Sequence, residues 1–269
     1  MRMRATGPVL TITALLLLLT ALPDWLQRHG WPPRRTTTLA ASLRSTAPYT
    51  QDPALRPRAL LENGLMQRLR DADRSWIPRA ERLPDGGTRY LYKRRPGEPE
   101  LTIPQIRALI ARPPSHANER DAIVTLLTTL ERVGAGVGLI EPIKPGAAAE
   151  WDPQARTLRL RPDVPDQGSL ELARVLNHEA IHVAQSCAAG GVGASPRPLG
   201  ATSRTLVAAT LASGRVAGPR RPIRQLQDPV YADLSPSERR MEQEAYSLQD
   251  RLGLGAQLLR IHCLAVRGS

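Results

Sequence analysis

Two histidines four residues apart, with a glutamate directly after the first, are the side chains of this sequence best suited to chemistry: His178-Glu179-Ala180-Ile181-His182. On an α-helix, residues i and i+4 lie one above the other with Cβ atoms about 5–6 Å apart, so both imidazoles can aim at one point. That spacing suits two Zn–N bonds of about 2.0–2.1 Å to a single tetrahedral ion. Glu179 is the next residue round the helix. It can take a proton from a water at the ion's open position without itself binding metal, and zinc lowers the pKa of that water to about 7. The chemistry this predicts is zinc-assisted hydrolysis, with His178 and His182 as metal ligands and Glu179 as the catalytic base. The competing reading of an isolated HExxH is two surface histidines beside a solvated glutamate.

A catalytic zinc takes three protein ligands and keeps one position open. The stretch 175–184 carries no charge except Glu179 and resembles the longer signature of zincin metallopeptidases, in which valine is common three places before the first histidine, as Val175 is here. The metzincin pattern would need glycine at 185 and histidine at 188; the chain has Gln185 and Ala188. The gluzincin pattern draws a glutamate from a later helix, with a small residue three places on. Glu242, followed by Ala245, and Glu244, followed by Ser247, both meet that condition. Two residues apart, they point about 200° apart round a helix, so only one can face the metal. The apolar stripe Met241, Ala245, Leu248 flanks both and leaves the choice open. The family's E-x-x-A helix favours Glu242, with Glu244 as the alternative. Tyr246 stands where that pattern carries an aspartate.

The resemblance to gluzincin-type HExxH metallopeptidases covers roughly 117–255. Its layout is also similar to small exported bacterial proteins of the form HExxHxxQ…ExEAY, a pattern that names no substrate. It implies a small α+β, zincin-like domain: a backing helix, a short mixed sheet whose edge strand borders the cleft, the HExxH helix and the later glutamate helix. It further implies Zn2+ as cofactor, a peptide or protein as substrate, and an oxyanion-stabilising group, for which Tyr231, Tyr246 and His262 are the candidates.

Periodicity supplies elements to position these residues. Leu61, Leu65, Leu69, Ala72 and Trp76 predict one amphipathic helix over 58–76. Further helices are expected at 103–111, at 117–133 closed by Gly134, at 170–187 capped by Asp166 or Ser169, near 203–211, and from Ser235-Pro236 onward. Short strands are expected at 89–92, 137–140, 148–151 and 157–161.

The remainder concerns address and surroundings. Arg2 and Arg4, then an uncharged stretch with its apolar heart at 9–22, predict that residues 1–30 are a secretory signal or a membrane anchor. The expected location is exported: periplasmic, extracellular or anchored to the membrane through residues 1–30. Residues 31–58 read as a Pro-rich linker, 59–115 as a basic N-terminal region, and 116–269 as the zincin-like domain. Net charge is +12, and residues 1–115 carry 19 Lys and Arg against 9 Asp and Glu, so the surplus lies beside the apolar segment. With aromatic residues at 3% and no nucleic-acid motif, a nucleic-acid partner is not expected. Cys187 and Cys263 are either one disulfide, as an exported protein would form, or two buried thiols. The alternative function is a non-catalytic, zinc-containing envelope protein with a degenerate peptidase fold.

Overall fold

A computed structural model of the chain describes residues 52–94, 98–200, 205, 231 and 233–264. The expected signal or anchor at 1–30, most of the 31–58 linker and the helix near 203–211 lie outside these residues. Among the described residues, no helix is long and apolar enough to cross a membrane.

The architecture is α+β with a short mixed sheet. Helices α1 (Pro57–Glu62) and α2 (Leu65–Trp76) lead into a hairpin of β1 (Arg79–Arg82) and β2 (Thr88–Leu91), then α3 (Ile103–Ala111) and α4 (Ala117–Val133). Strands β3 (Gly136–Leu139), β4 (Ala149–Asp152) and β5 (Thr157–Leu160) follow, then α5 (Ser169–Ala188), α6 (Pro236–Leu248), α7 (Leu254–Leu259) and a closing π-helical turn, Arg260–Leu264.

The single helix expected over 58–76 is two. Asn63-Gly64 interrupts the apolar spacing, and Gly64 adopts φ 83°, a left-handed conformation that ends one helix and starts the next. Both helices contribute to the main core. Leu60, Leu65 and Leu69 belong to the same buried cluster as Leu127 and Leu130 of α4 and Leu172 and Leu176 of α5.

The sheet has the order β3-β5-β4, with β3 parallel and β4 antiparallel to the central β5. Register places Trp151 opposite Leu158 and Ala149 opposite Leu160, so one face of the hairpin is apolar and buried. From the edge strand β4, Trp151 Nε1 donates to Ser186 Oγ on α5 at 2.9 Å, fixing that strand to the HExxH helix.

Helix α5 is the axis of the domain, packed by α4, α6, α7 and β4. Burial on several sides fits a sequence in which Leu172, Leu176, Ala180, Ile181, Val183 and Ala184 are all fully buried. Neither Asp166 nor Ser169 caps it. Gly168, with φ 95° and no side chain, occupies the cap position. The acceptor comes from α2: Asp73 Oδ1 accepts from Ser169 N at 2.7 Å, and Oδ2 accepts from Ser169 Oγ and from Arg120 Nη1, each at 2.7 Å. A carboxylate at a helix N-terminus satisfies orphan N–H groups and opposes the positive end of the dipole. Asp166 instead pairs with Arg68.

Asn177 sets how α5 meets the C-terminal elements. Its Nδ2 donates to the carbonyls of Leu248, Gln249 and Arg251 at 2.9–3.2 Å, and its Oδ1 accepts from Gly255 N at 2.8 Å. A Cβ at Gly255 would lie 2.5 Å from Asn177 Oδ1 and 3.0 Å from Ala180 Cβ. Gly255→Ala is therefore expected to destabilise the fold by about 2 kcal/mol through overpacking, lowering the thermal midpoint by about 5 °C. A melting curve unchanged by the substitution would contradict this contact.

Cys187 and Cys263 form a disulfide, Cα–Cα 5.1 Å, joining the end of α5 to the π-helical turn.

Candidate metal centre

Helix α5 presents His178 and His182 on one face, as i,i+4 spacing requires, with their Nε2 atoms 3.1 Å apart. Helix α6 starts with a capping box between Ser235 and Glu238, and Ala245 and Leu248 seat it in the core. That docking carries Glu242 to the imidazoles. Its Oε2 lies 3.3 Å from His178 Nε2 and 3.7 Å from His182 Nε2. His178, His182 and Glu242 are, among the described residues, a group able to hold a metal ion.

The other ring nitrogens explain which atoms are free to bind. His178 Nδ1 is 3.1 Å from Gln249 Oε1, and His182 Nδ1 is 2.8 Å from Gln185 Oε1. An amide oxygen only accepts, so each Nδ1 carries the proton and donates it. Each Nε2 is then left with a lone pair. Two lone pairs 3.1 Å apart, beside a buried carboxylate oxygen with no hydrogen bond among the described residues, repel one another unless a cation or proton lies between them. The donor set of two imidazoles and one carboxylate fits a divalent transition-metal ion.

The charge balance points the same way. Burial opposes a proton on His182, but Glu242 and Glu179 outweigh it, and the imidazole is pushed up to about 9. Burial also opposes charge on Glu242, yet His178 and His182 hold it below the ordinary carboxylate range. The two shifts are reciprocal, each group favouring the charged form of the other. Glu179 differs: burial raises its pKa, with His178 and His182 only partly offsetting that.

Of the remaining candidates, Glu244 turns away from the imidazoles. Its Oε2 accepts from Gln185 Nε2 at 2.9 Å and from Leu199 N at 2.8 Å, and its Oε1 accepts from Gly200 N at 2.9 Å. Tyr246 packs edge-on against His178, ring centroids 4.6 Å apart, and its hydroxyl is 2.5 Å from that of Tyr231. Lys144 Nζ sits 4.1 Å from the centre of the Tyr231 ring. Burial, aided by the bond to Tyr246, raises the Tyr231 phenol well above its ordinary range. His262 lies in the π-helical turn beside Cys263, outside the donor group, and burial lowers its pKa.

Sequence reasoning did not assign Gln185, Gln249 or Asn177. For Gln185 a signal existed, since it stands three residues after His182 on the same helix, a spacing that brings side chains together. Asn177, a polar residue inside an apolar helix, also asked for partners. Gln249 contacts a ring 71 residues away, and no local pattern announces it.

No protein-family model matches the chain, and neither a curated protein nor a solved structure matches it.

Proposed function

We propose that the chain is a zinc-dependent peptidase of the gluzincin type, acting as a secreted or envelope-anchored enzyme. The observation that carries this reading is the triangle of lone pairs formed by His178 Nε2, His182 Nε2 and Glu242 Oε2. Its sides of 3.1, 3.3 and 3.7 Å bracket the edge of a tetrahedron with bonds of about 2.0–2.1 Å, which is about 3.3 Å. A calcium site would call for more ligands, all of them oxygen, at about 2.3–2.6 Å. The short mixed sheet with β4 at its edge, the HExxH helix and the glutamate helix are the elements a zincin-like domain requires. The disulfide and the apolar run at 9–22 support placement outside the reducing cytoplasm.

Zinc held there would supply Lewis-acid polarisation of a carbonyl and a water acidic enough to react near pH 7. The protein's own part is positioning and proton transfer. Gln185 and Gln249 orient the ligand imidazoles. Glu179, buried to 6% exposure and shifted upward by that burial, takes the proton of the attacking water and returns it to the leaving amine. Tyr246 walls the site at His178.

The full chain, freed of metal and reloaded, should bind one equivalent of zinc and cleave members of a mixed peptide library; His178→Ala should bind none at the same free-zinc concentration. Metal content equal in the two proteins would sink the metal assignment. Stoichiometric zinc with no cleavage of any peptide would sink the peptidase assignment.

A further inference from the structure

We propose that Glu244 is a positioning residue that sets the tautomer of His182 through the amide of Gln185. The inference rests on the metal-centre reading above and assigns work to a glutamate that does not face the ion.

The argument follows hydrogen-bond polarity along a buried chain. Gln185 is fully buried. Its Nε2 donates to Glu244 Oε2 at 2.9 Å and to the Met241 carbonyl at 3.2 Å. Both partners act as acceptors: Glu244 Oε2 also takes the N–H of Leu199, and a peptide carbonyl has no proton to give. The amide is therefore held one way round, with Nε2 toward α6 and Oε1 toward His182. That orientation places an acceptor 2.8 Å from His182 Nδ1. The ring must then carry its proton on Nδ1 and keep the Nε2 lone pair for the ion. Were the amide reversed, its NH2 would face Nδ1, the proton would move to Nε2, and the atom aimed at His178 and Glu242 would no longer be a ligand.

Glu244 is itself fixed. Its carboxylate accepts from the backbone N–H groups of Leu199 and Gly200, so rotation away from Gln185 would forfeit those bonds. The relay thus joins three parts of the chain: the backbone at 199–200, helix α6 and a ligand histidine on α5. It also gives the two glutamates of Glu242-Gln243-Glu244 separate duties on opposite sides of one helix. Glu242 faces the rings, and Glu244 holds the group that aims one of them. Outer partners of ligand histidines are worth about 10–100-fold in metal affinity.

The test is a double-substitution cycle read by zinc affinity, measured by chelator competition on the full chain, and by the His182 Nδ1–H proton resonance of the zinc-loaded protein. Gln185→Met and Glu244→Met should each weaken zinc binding by about 10–100-fold and lose the exchange-protected Nδ1–H signal. Because both act through one relay, the double variant should be no weaker than the poorer single one. Wild-type zinc affinity and a retained Nδ1–H signal in Glu244→Met would overturn the proposal, and so would effects that add. A wild-type protein that binds no zinc would instead remove the metal reading itself. Should Glu244→Met fail to fold, an exchange pair decides. Gln185→Glu sets two carboxylates against each other and should weaken zinc binding; adding Glu244→Gln supplies a donor and should recover part of the loss. An unaltered Gln185→Glu protein, or no recovery in the exchanged pair, overturns the relay.

Discussion

Replacing Glu179 by glutamine is expected to leave one zinc bound and to lower peptide hydrolysis by about 10²–10⁴-fold. Glu179 is not one of the three converging donors, so the ion's coordination loses nothing. Glutamine has the same shape but cannot accept a proton and hand it on. The loss should fall on kcat rather than KM, because proton transfer is made only on the way to the transition state. Burial strengthens the expectation: the carboxyl is shifted upward, toward the range where one group serves as both base and acid near neutral pH. Metal content and initial rates on a cleaved peptide measure the two halves separately. A Glu179→Gln protein with full zinc and an undiminished rate would take Glu179 out of the reaction.

Glu242→Ala should have the larger effect on the metal itself. Zinc affinity is expected to fall by more than about 100-fold, beyond the range of an outer partner, and hydrolysis should disappear with it. Truncation removes a ligand atom and the negative charge that balances the cation, leaving two imidazoles with their Nε2 atoms 3.1 Å apart. Chelator competition gives the affinity, and the same measurement on Glu244→Met sets the scale for a residue acting at one remove. The order of loss, Glu242 well ahead of Glu244, separates the two acids that the sequence left as alternatives. Full zinc affinity in Glu242→Ala would end the three-ligand assignment.

Much of the centre was legible because its logic is local. The spacing of His178 and His182 fixes their common face, and Ser235-Pro236 marks the start of the glutamate helix through local chemistry alone. The helix expected at 103–111 is α3, Ile103–Ala111, stopped ahead of Pro113-Pro114. What stayed hidden is what depends on docking. The choice between Glu242 and Glu244 turns on the rotation of α6 against α5, which its apolar stripe flanks symmetrically. The cap on α5 comes from Asp73, 96 residues earlier, where no short-range rule looks. The break at Asn63-Gly64 was visible in residue type but masked by leucines that keep helical spacing across it. Gln185 was read only as a departure from the glycine of the metzincin pattern; its value lies in partners that fold alongside it.

The bond between Cys187 and Cys263 spans 76 residues and closes a covalent ring. The two histidines lie just before that ring and the glutamate helix lies within it. A single peptide-bond cut anywhere from 188 to 262, including the glycine- and proline-rich stretch, would leave both fragments as one molecule. Glu242 could not diffuse away from its partners. Opening and reclosure would be first-order events at an effective concentration in about the millimolar range, so a nicked protein in an oxidising, protease-rich setting keeps all three donors on one particle.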